Sequence, residues 1–342
     1  MSDLLISALS ALLATNQPAA LSNLVQARTG IVVPVTDPND PVEKEYHRVL
    51  EIEDSAEQEV NRWIAENDAF TAKGGGVALP HLQGKIRARY EPAKKAYETF
   101  LTAHPNHARG RLAFGGFLSD IGDEEGALKQ WEKARDLDPK NPVPWNNLAN
   151  FYGHNGPVTN AFHCYAQALA LRPTESLYYQ NFATTVFLFR KDAMEFFHIT
   201  EPQVFEKAMG LYRKARELDP SNFLLATDLA QSYYGMKPPK TGDAETDRRA
   251  ARQLADEALA AWDDALRVAP DENARQGVLV HRVRWQTNAA RFDDARQTLT
   301  QLTNAAFASM KRTLEKSLAR REAATNASPE IVEKPAPGSL KN

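Results

Sequence analysis

The sequence predicts an all-α chain built as a stack of helical hairpins, an α-solenoid, and three observations carry that prediction. Pro105, Pro139 and Pro173 stand 34 residues apart, a period typical of repeated helix–turn–helix units. A packing quartet moves in step with them: Ala127, Trp131, Ala134 and Pro139 become Ala161, Tyr165, Ala168 and Pro173 one period later. The quartet then returns as Ala208, Tyr212, Ala215, Pro220 and as Ala258, Trp262, Ala265, Pro270, at the longer intervals of 47 and 50 residues.

From the N-terminus, residues 1–30 open with the apolar run Leu4 to Leu13. An acid, Asp3, stands where a signal peptide carries Lys or Arg, so the run reads as an amphipathic helix, while a signal-peptide reading stays open beside it. The helix reading goes with a cytoplasmic chain, and the signal reading with a periplasmic or secreted one. Residues 31–107 read as a helical cap ending in a half repeat. Asp40-Pro41-Val42-Glu43 supplies an N-cap, a first-turn proline and an acidic first turn for a helix over 42–67. A second helix is expected over 81–104, where Ala93, Tyr97 and Phe100 fit the second half of a repeat. Residues 108–303 hold the repeats, with hairpins near 108–141, 142–175, 176–222 and 223–272 and a decayed unit at 276–303 that keeps Ala295. Asp138-Pro139-Lys140-Asn141 and Asp219-Pro220-Ser221-Asn222 are tight turns between units, because proline ends the preceding helix and Asp and Asn satisfy turn backbone. A capping helix over 304–327, with Phe307, Leu314 and Leu318, closes the stack. Residues 328–342, rich in proline and poor in large apolar side chains, read as a disordered tail.

These residues resemble the tetratricopeptide-repeat family, whose 34-residue unit reads W-x2-L-G-x2-Y, then A-x3-F, then P. The unit from about Pro142 to Glu175 carries Trp145, Leu148, Ala149, Tyr152, Gly156, Ala161, Tyr165, Ala168 and Pro173. The unit before it carries Phe114, Gly115, Leu118, Gly122, Ala127 and Trp131, with Arg111 where the family has Trp. The resemblance implies a right-handed solenoid, small residues where helices approach, aromatics between layers, and use as a protein-binding scaffold with no cofactor.

In such repeats the first helix of each hairpin lines the concave groove. Its non-packing positions are Arg109, Leu112, Asn146, Asn150, His154, Gln180, Thr184, Asp228 and Gln231. Amides donate and accept together, which suits holding the backbone of an extended peptide or protein segment; an ordinary solvated helix face is the other reading. Asn146 and Asn150 partly resemble the carboxylate-clamp repeats of heat-shock co-chaperones, but Gln180, Asn181 and Thr184 replace the expected basic side chains, so a chaperone tail is not the expected ligand. The alternative function is a structural subunit of an oligomeric or envelope-associated assembly, using convex and capping surfaces and the N-terminal helix.

The two long intervals mark insertions. The first, from Phe187 to Thr200, packs Phe187, Phe189, Phe196 and Phe197 with Met194 into a hairpin turn. It must bury these rings against its own repeats or offer Phe189, Phe196 and Phe197 to a partner. The second, from Met236 to Asp243, is polar and proline-rich and reads as an extended surface loop.

Composition narrows the function classes. With 41 Lys+Arg against 44 Asp+Glu, the chain lacks the basic excess of a nucleic-acid binder. No apolar run is long enough for an integral membrane span. One cysteine, Cys164, supports neither a disulfide framework nor a cysteine-rich zinc site, and beside Tyr165 it reads as a small buried hydrophobe. His104 and His107 span a turn with no third ligand nearby, so no metal is expected. Gly74-Gly75-Gly76 lacks the Lys-Ser/Thr of a phosphate loop. No nucleophile–base pair or paired carboxylates emerge, so no enzymatic activity is expected.

Overall fold

The computed structural model describes residues 40–72, 75, 79–238 and 240–327. The N-terminal apolar run and the C-terminal tail therefore lie outside the described residues, as does most of the triple-glycine stretch. Fourteen α-helices and no strands occur among the described residues. The chain forms two compact units, residues 1–144 and 145–342.

The first unit begins with α1 (Pro41–Thr71), where the Asp40 carboxylate accepts from the Val42 N–H at 2.8 Å. This is the expected cap, and the helix runs four residues further than the sequence suggested. It packs on α2 (Leu79–Ala103), whose Ala93 and Tyr97 are fully buried. The next pair is the hairpin of α3 (Ala108–Asp120) and α4 (Glu124–Leu137). Tyr97 stacks on Phe114 with centroids 5.0 Å apart, which links the half repeat to this hairpin. Within the hairpin the Trp131 indole lies so close to Gly115 that a Cβ there would collide with it. The small residue at this signature position is thus a requirement of helix approach.

Helix α5 (Pro142–Asn155) runs across the unit boundary. In the second unit α6 (Val158–Leu171) completes its hairpin, and α7 (Ser176–Leu188) begins the next one 34 residues after α5 began. The second helices α9 (Glu201–Leu218) and α11 (Ala244–Arg267) pair with first helices α7 and α10 (Phe223–Ser232). Every Ala and aromatic of the predicted quartets is buried. Ala183, Tyr212, Ala226, Ala258 and Trp262 share one continuous core. The last hairpin is α12 (Glu272–Asn288) with α13 (Phe292–Thr300), and α14 (Ala308–Ala327) lays Leu314 and Leu318 on its Leu279, Val283 and Leu299. Gln276, fully buried, secures this end: its amide donates to the Gln301 carbonyl at 3.0 Å and accepts from the Thr303 N–H at 3.0 Å.

The first insertion differs from its expected form, and the second keeps its expected loop up to Asp243. The first contains a helix, α8 (Arg190–Phe197), that buries Ala193 completely. Its apolar residues recur three and four apart, which is helical spacing rather than that of a turn. The second insertion is divided. A short 3-10 turn (Tyr233–Gly235) leads into a loop, and the remaining inserted residues lengthen α11 at its N-terminus, where Asp243 accepts from the Thr246 N–H at 2.7 Å. An Asp followed by an acidic first turn is a strong helix start, so the surface loop ends at Asp243.

Candidate functional site

The first-helix side chains named from the sequence fall into three situations. In the first unit, Arg109 donates to Glu43 of α1 at 2.9 Å and lies 5.2 Å from the centre of the Tyr46 ring. Its neighbour His107 caps α3 by accepting from the Gly110 N–H at 2.9 Å, and the other ring nitrogen faces Glu43 at 3.4 Å. His104 similarly meets Glu45 at 2.9 Å. Helix α1 therefore occupies the polar groups that begin α3.

In the second unit most of the amides bond to neighbouring helices, in separate side-chain groups. Asn181 donates to Asn146 at 3.2 Å, from α7 to α5, and Gln180 donates to Asp228 at 2.7 Å, from α7 to α10. Asn150 accepts from the Tyr165 hydroxyl at 2.7 Å, and that hydroxyl accepts in turn from Thr185 at 3.2 Å. Thr184 meets the Tyr212 hydroxyl at 2.8 Å. Asn146 and Gln180 are buried, so their bonding groups serve neighbouring helices. Burial raises the Asp228 carboxyl above its usual value, with the Gln180 bond opposing the rise. Burial also pushes the Tyr165 hydroxyl up to about 12, keeping it a neutral link between Asn150 and Thr185.

Only His154 and Gln231 of the predicted set in this unit are well exposed, and His154 bonds the Asn150 carbonyl of its own helix at 2.8 Å. The first helices and the 3-10 turn after α10 instead expose apolar side chains outside the predicted groove set. Leu177 is 48% exposed, Leu188 63%, Leu224 64% and Tyr234 43%. Leu177 and Leu224 are 47 residues apart, the interval between Pro173 and Pro220, so they occupy one register position in successive repeats. Phe187 and Tyr234 are related by the same interval. That register was the available signal, although the groove positions expected from the sequence do not include these residues.

Beyond Tyr234 lies an aromatic cluster. His281 stacks face to face on Trp262, with centroids 4.2 Å apart and planes 5° from parallel, and its Nδ1 is 3.2 Å from the Tyr234 hydroxyl. Burial, with the Arg284 charge nearby, lowers the His281 imidazole to about 4, so the ring stands neutral on the indole at physiological pH. Tyr234 also contacts Trp285 at 5.1 Å.

The insertion phenylalanines face their own chain. Phe196 and Phe197 each lie 5.3 Å from Phe162 of α6, Phe196 touches His163 edge-on at 4.7 Å, and Lys207 sits 4.2 Å above the Phe197 ring. Phe189 is half-buried at the α7–α8 junction. Cys164 is buried. Among the described residues no group of three His, Cys, Asp or Glu side chains is placed to hold a metal ion. No described helix is long and apolar enough to cross a membrane.

No family model matches the sequence. A curated relative, an N-terminal acetyltransferase A complex subunit-like protein of Schizosaccharomyces pombe, is 31% identical over 94 residues, which is 27% of this chain and 14% of the relative. The chain thus spans about a seventh of that protein's length. Among solved structures, the C-terminal part of a TPR repeat-containing protein from Cytophaga hutchinsonii superposes with a TM-score of 0.50 at 13% identity, covering 81% of this chain and 99% of that one. The TPR protein YrrB, described as having an unusual peptide-binding site, gives 0.46 at 14% identity over 65% of this chain and 99% of its own. PilF of Pseudomonas aeruginosa gives 0.44 at 17% identity over 80% and 99%. The Cytophaga likeness shows the fold: this chain has the tetratricopeptide-repeat architecture.

Proposed function

We propose that this chain, a tetratricopeptide-repeat protein by its fold, is a non-catalytic interaction scaffold whose second unit takes a protein or extended peptide segment along its first helices. The observation that supports this reading most directly is the repeated exposure of Leu177 and Leu224 at one register position, with Leu188 following on α7 and Tyr234 on the 3-10 turn after α10. Apolar side chains that a repeat protein leaves in water at successive equivalent sites form a periodic surface matched to a partner's own periodicity. Asn146, Asn150, Gln180 and Thr184 act in this reading as the rigid floor, since Asn146 and Gln180 bond neighbouring first helices and Asn150 and Thr184 bond tyrosines of second helices, while His154 and Gln231 supply polar contacts at the surface. A pre-fixed surface loses little conformational entropy on binding. The S. pombe relative, matched over 14% of its length, is named as like a subunit of a complex, a setting in which a helical-repeat chain would serve by holding other proteins.

Site-specific photo-crosslinking tests this. A benzophenone amino acid placed at Leu177, Leu224 or Tyr234 is expected to trap a common partner in the native host. The same probe at the exposed Ala260 on α11 is expected not to trap it. Equal trapping from Ala260, or none from the first-helix positions, refutes the reading.

A further inference from the structure

Three side chains from different elements meet at the C-terminal end of the second unit's exposed apolar surface. Tyr234 is 43% exposed on the 3-10 turn after α10, and Met310 is 37% exposed at the start of α14. Arg284 of α12 joins them, bonding the Tyr234 hydroxyl and reaching the Met310 sulfur at 3.5 Å. The Tyr234 ring is held by Trp285 and His281, at centroid separations of 5.1 and 5.8 Å, so it is presented in one orientation.

Charge at this end has one sign. Of the four arginines between positions 272 and 291, Arg275 pairs with Glu272 at 3.8 Å, Arg282 with Asp263 at 2.8 Å, and Arg291 with Asp256. Arg284 alone has no carboxylate partner among the described residues, and the hydroxyl and thioether that it does contact carry no charge. The nearest first-helix acid, Asp228 of α10, is engaged by Gln180. Helix α14 continues the sign. Arg321, eleven residues on from Met310 and therefore on the same helix face, is exposed, as are Arg312, Lys316 and Arg320, and none of the four has an ion-pair partner among the described residues. Glu315 is the one acid of α14 left against them, since Glu322 pairs with Arg296 at 2.8 Å.

The apolar part of the surface fits protein rather than nucleic acid or lipid. Leu177, Leu188 and Leu224 are aliphatic, and Tyr234 is the single ring among the large exposed apolar side chains of this unit's described residues, whereas unpaired bases need a succession of rings to stack on. Leu314 and Leu318 of α14 are buried, so its basic residues do not flank an apolar face free to enter a bilayer.

We infer that this end of the first-helix surface selects its partner by charge, taking a protein segment whose aspartate or glutamate side chain pairs with Arg284 while an adjacent apolar residue lies on Tyr234 and Met310. A charge-assisted bond from an otherwise unmatched guanidinium discriminates sharply by sign. The inference rests on the first-helix reading and adds to it the chemistry of the partner.

Fluorescence anisotropy on the full chain tests it, with short labelled peptides acetylated and amidated at their ends so that only side chains carry charge. One set places leucines among glutamates, a second places leucines among lysines, and a third replaces every leucine of the first by serine. The wild type is expected to bind the first set at least about tenfold more tightly than the other two. Arg284→Gln is expected to weaken that binding by about tenfold, and Arg284→Glu to turn the preference toward the lysine set. Should Arg284→Glu change the circular dichroism, Arg321→Glu combined with Met310→Gln, both at exposed positions, repeats the test with the same expected direction. The inference is overturned if the wild type binds none of the sets, binds the lysine or serine set as well as the glutamate one, or keeps its preference in the folded charge-reversed chain. Tighter binding of a labelled oligothymidine than of any peptide overturns it in favour of a nucleic acid. Leu177→Gln combined with Leu224→Gln separates the two readings. If that variant still binds the glutamate set and Arg284→Glu does not, the Arg284 site stands without the longer surface; the converse keeps the surface and removes selection by charge.

Discussion

The Asn181 side-chain amide donates to the Asn146 carbonyl oxygen at 3.2 Å, joining the first helices of two successive repeats. Asn146 is buried, so losing one partner leaves the other a polar group with no replacement from water. Asn146→Ala is expected to lower unfolding stability by about 1–2 kcal/mol. In a double-mutant cycle with Asn181→Ala, the pair is expected to couple by about 0.5–1.5 kcal/mol, read from urea midpoints. Additive losses would remove this contact from the account of repeat stacking.

The Gln180–Asp228 bond predicts a pH-dependent effect. Burial raises the Asp228 carboxyl and the Gln180 bond pulls it down. A carboxyl raised in the folded chain loses stability as pH climbs from its unfolded to its folded value. Gln180→Leu removes the opposing bond and raises the carboxyl further, so the variant is expected to be destabilised more at pH 7 than at pH 4. The loss at pH 7 is expected to be about 1–3 kcal/mol. Equal losses at the two pH values would contradict this account.

These contacts show what was legible in the sequence. Tyr165, Tyr212 and Trp262 stood at signature spacings, and each is buried where the period puts it, because a repeated unit must present the same small and aromatic groups to its neighbours. The amide contacts were legible in residue type only. Asn146 and Asn181 are 35 residues apart, one more than the period, so two amides on adjacent first helices were implied, but an amide facing a groove and an amide facing its neighbour look alike in sequence. Helix α8 and the lengthened α11 were hidden for a different reason: insertions have no equivalent in the other repeats, so periodicity offers no template, and Asp243 had to be recognised as a cap. Leu177 and Leu224 were visible in register, 47 residues apart like Pro173 and Pro220, but sequence alone does not say which apolar positions of a first helix are packed and which are left exposed.

The His281–Trp262 stack gives an acid-side prediction. The imidazole is lowered to about 4 by burial and by Arg284, with the Tyr234 hydroxyl against its Nδ1. The unfolded chain, titrating near 6.5, then binds more protons than the folded one between these values. The contribution of a neutral His281 is fully present above the unfolded value and is lost as pH falls through the window toward 4. His281→Phe keeps a flat ring on the indole and removes the titration. The drop in urea midpoint from pH 7 to pH 4.5 is therefore expected to be smaller in the variant than in the wild type. An unchanged drop would show that His281 does not titrate against folding.

Arg216 offers the sharpest distinction between charge and shape. From the last turn of α9 it sends Nε and Nη2 to one oxygen of Asp264 on α11, at 3.0 and 2.6 Å, while Nη1 donates to the carbonyls of Asp219 and Asn222 at 3.0 and 3.1 Å. One planar group thus fixes the inter-repeat turn and the next second helix together. Its side chain is only 10% exposed, so water does not readily replace these bonds. Arg216→Ala is expected to cost about 2–3 kcal/mol, since two carbonyls and part of a carboxylate lose a charged donor. Asp264 keeps Arg267 as a partner, which limits the loss. Arg216→Lys retains the charge but is a single point donor that cannot hold the carboxylate and both carbonyls at once. It is therefore expected to recover less than half of the loss, measured by chemical denaturation. Full recovery by lysine would mean that charge alone holds the turn and that the forked geometry is incidental.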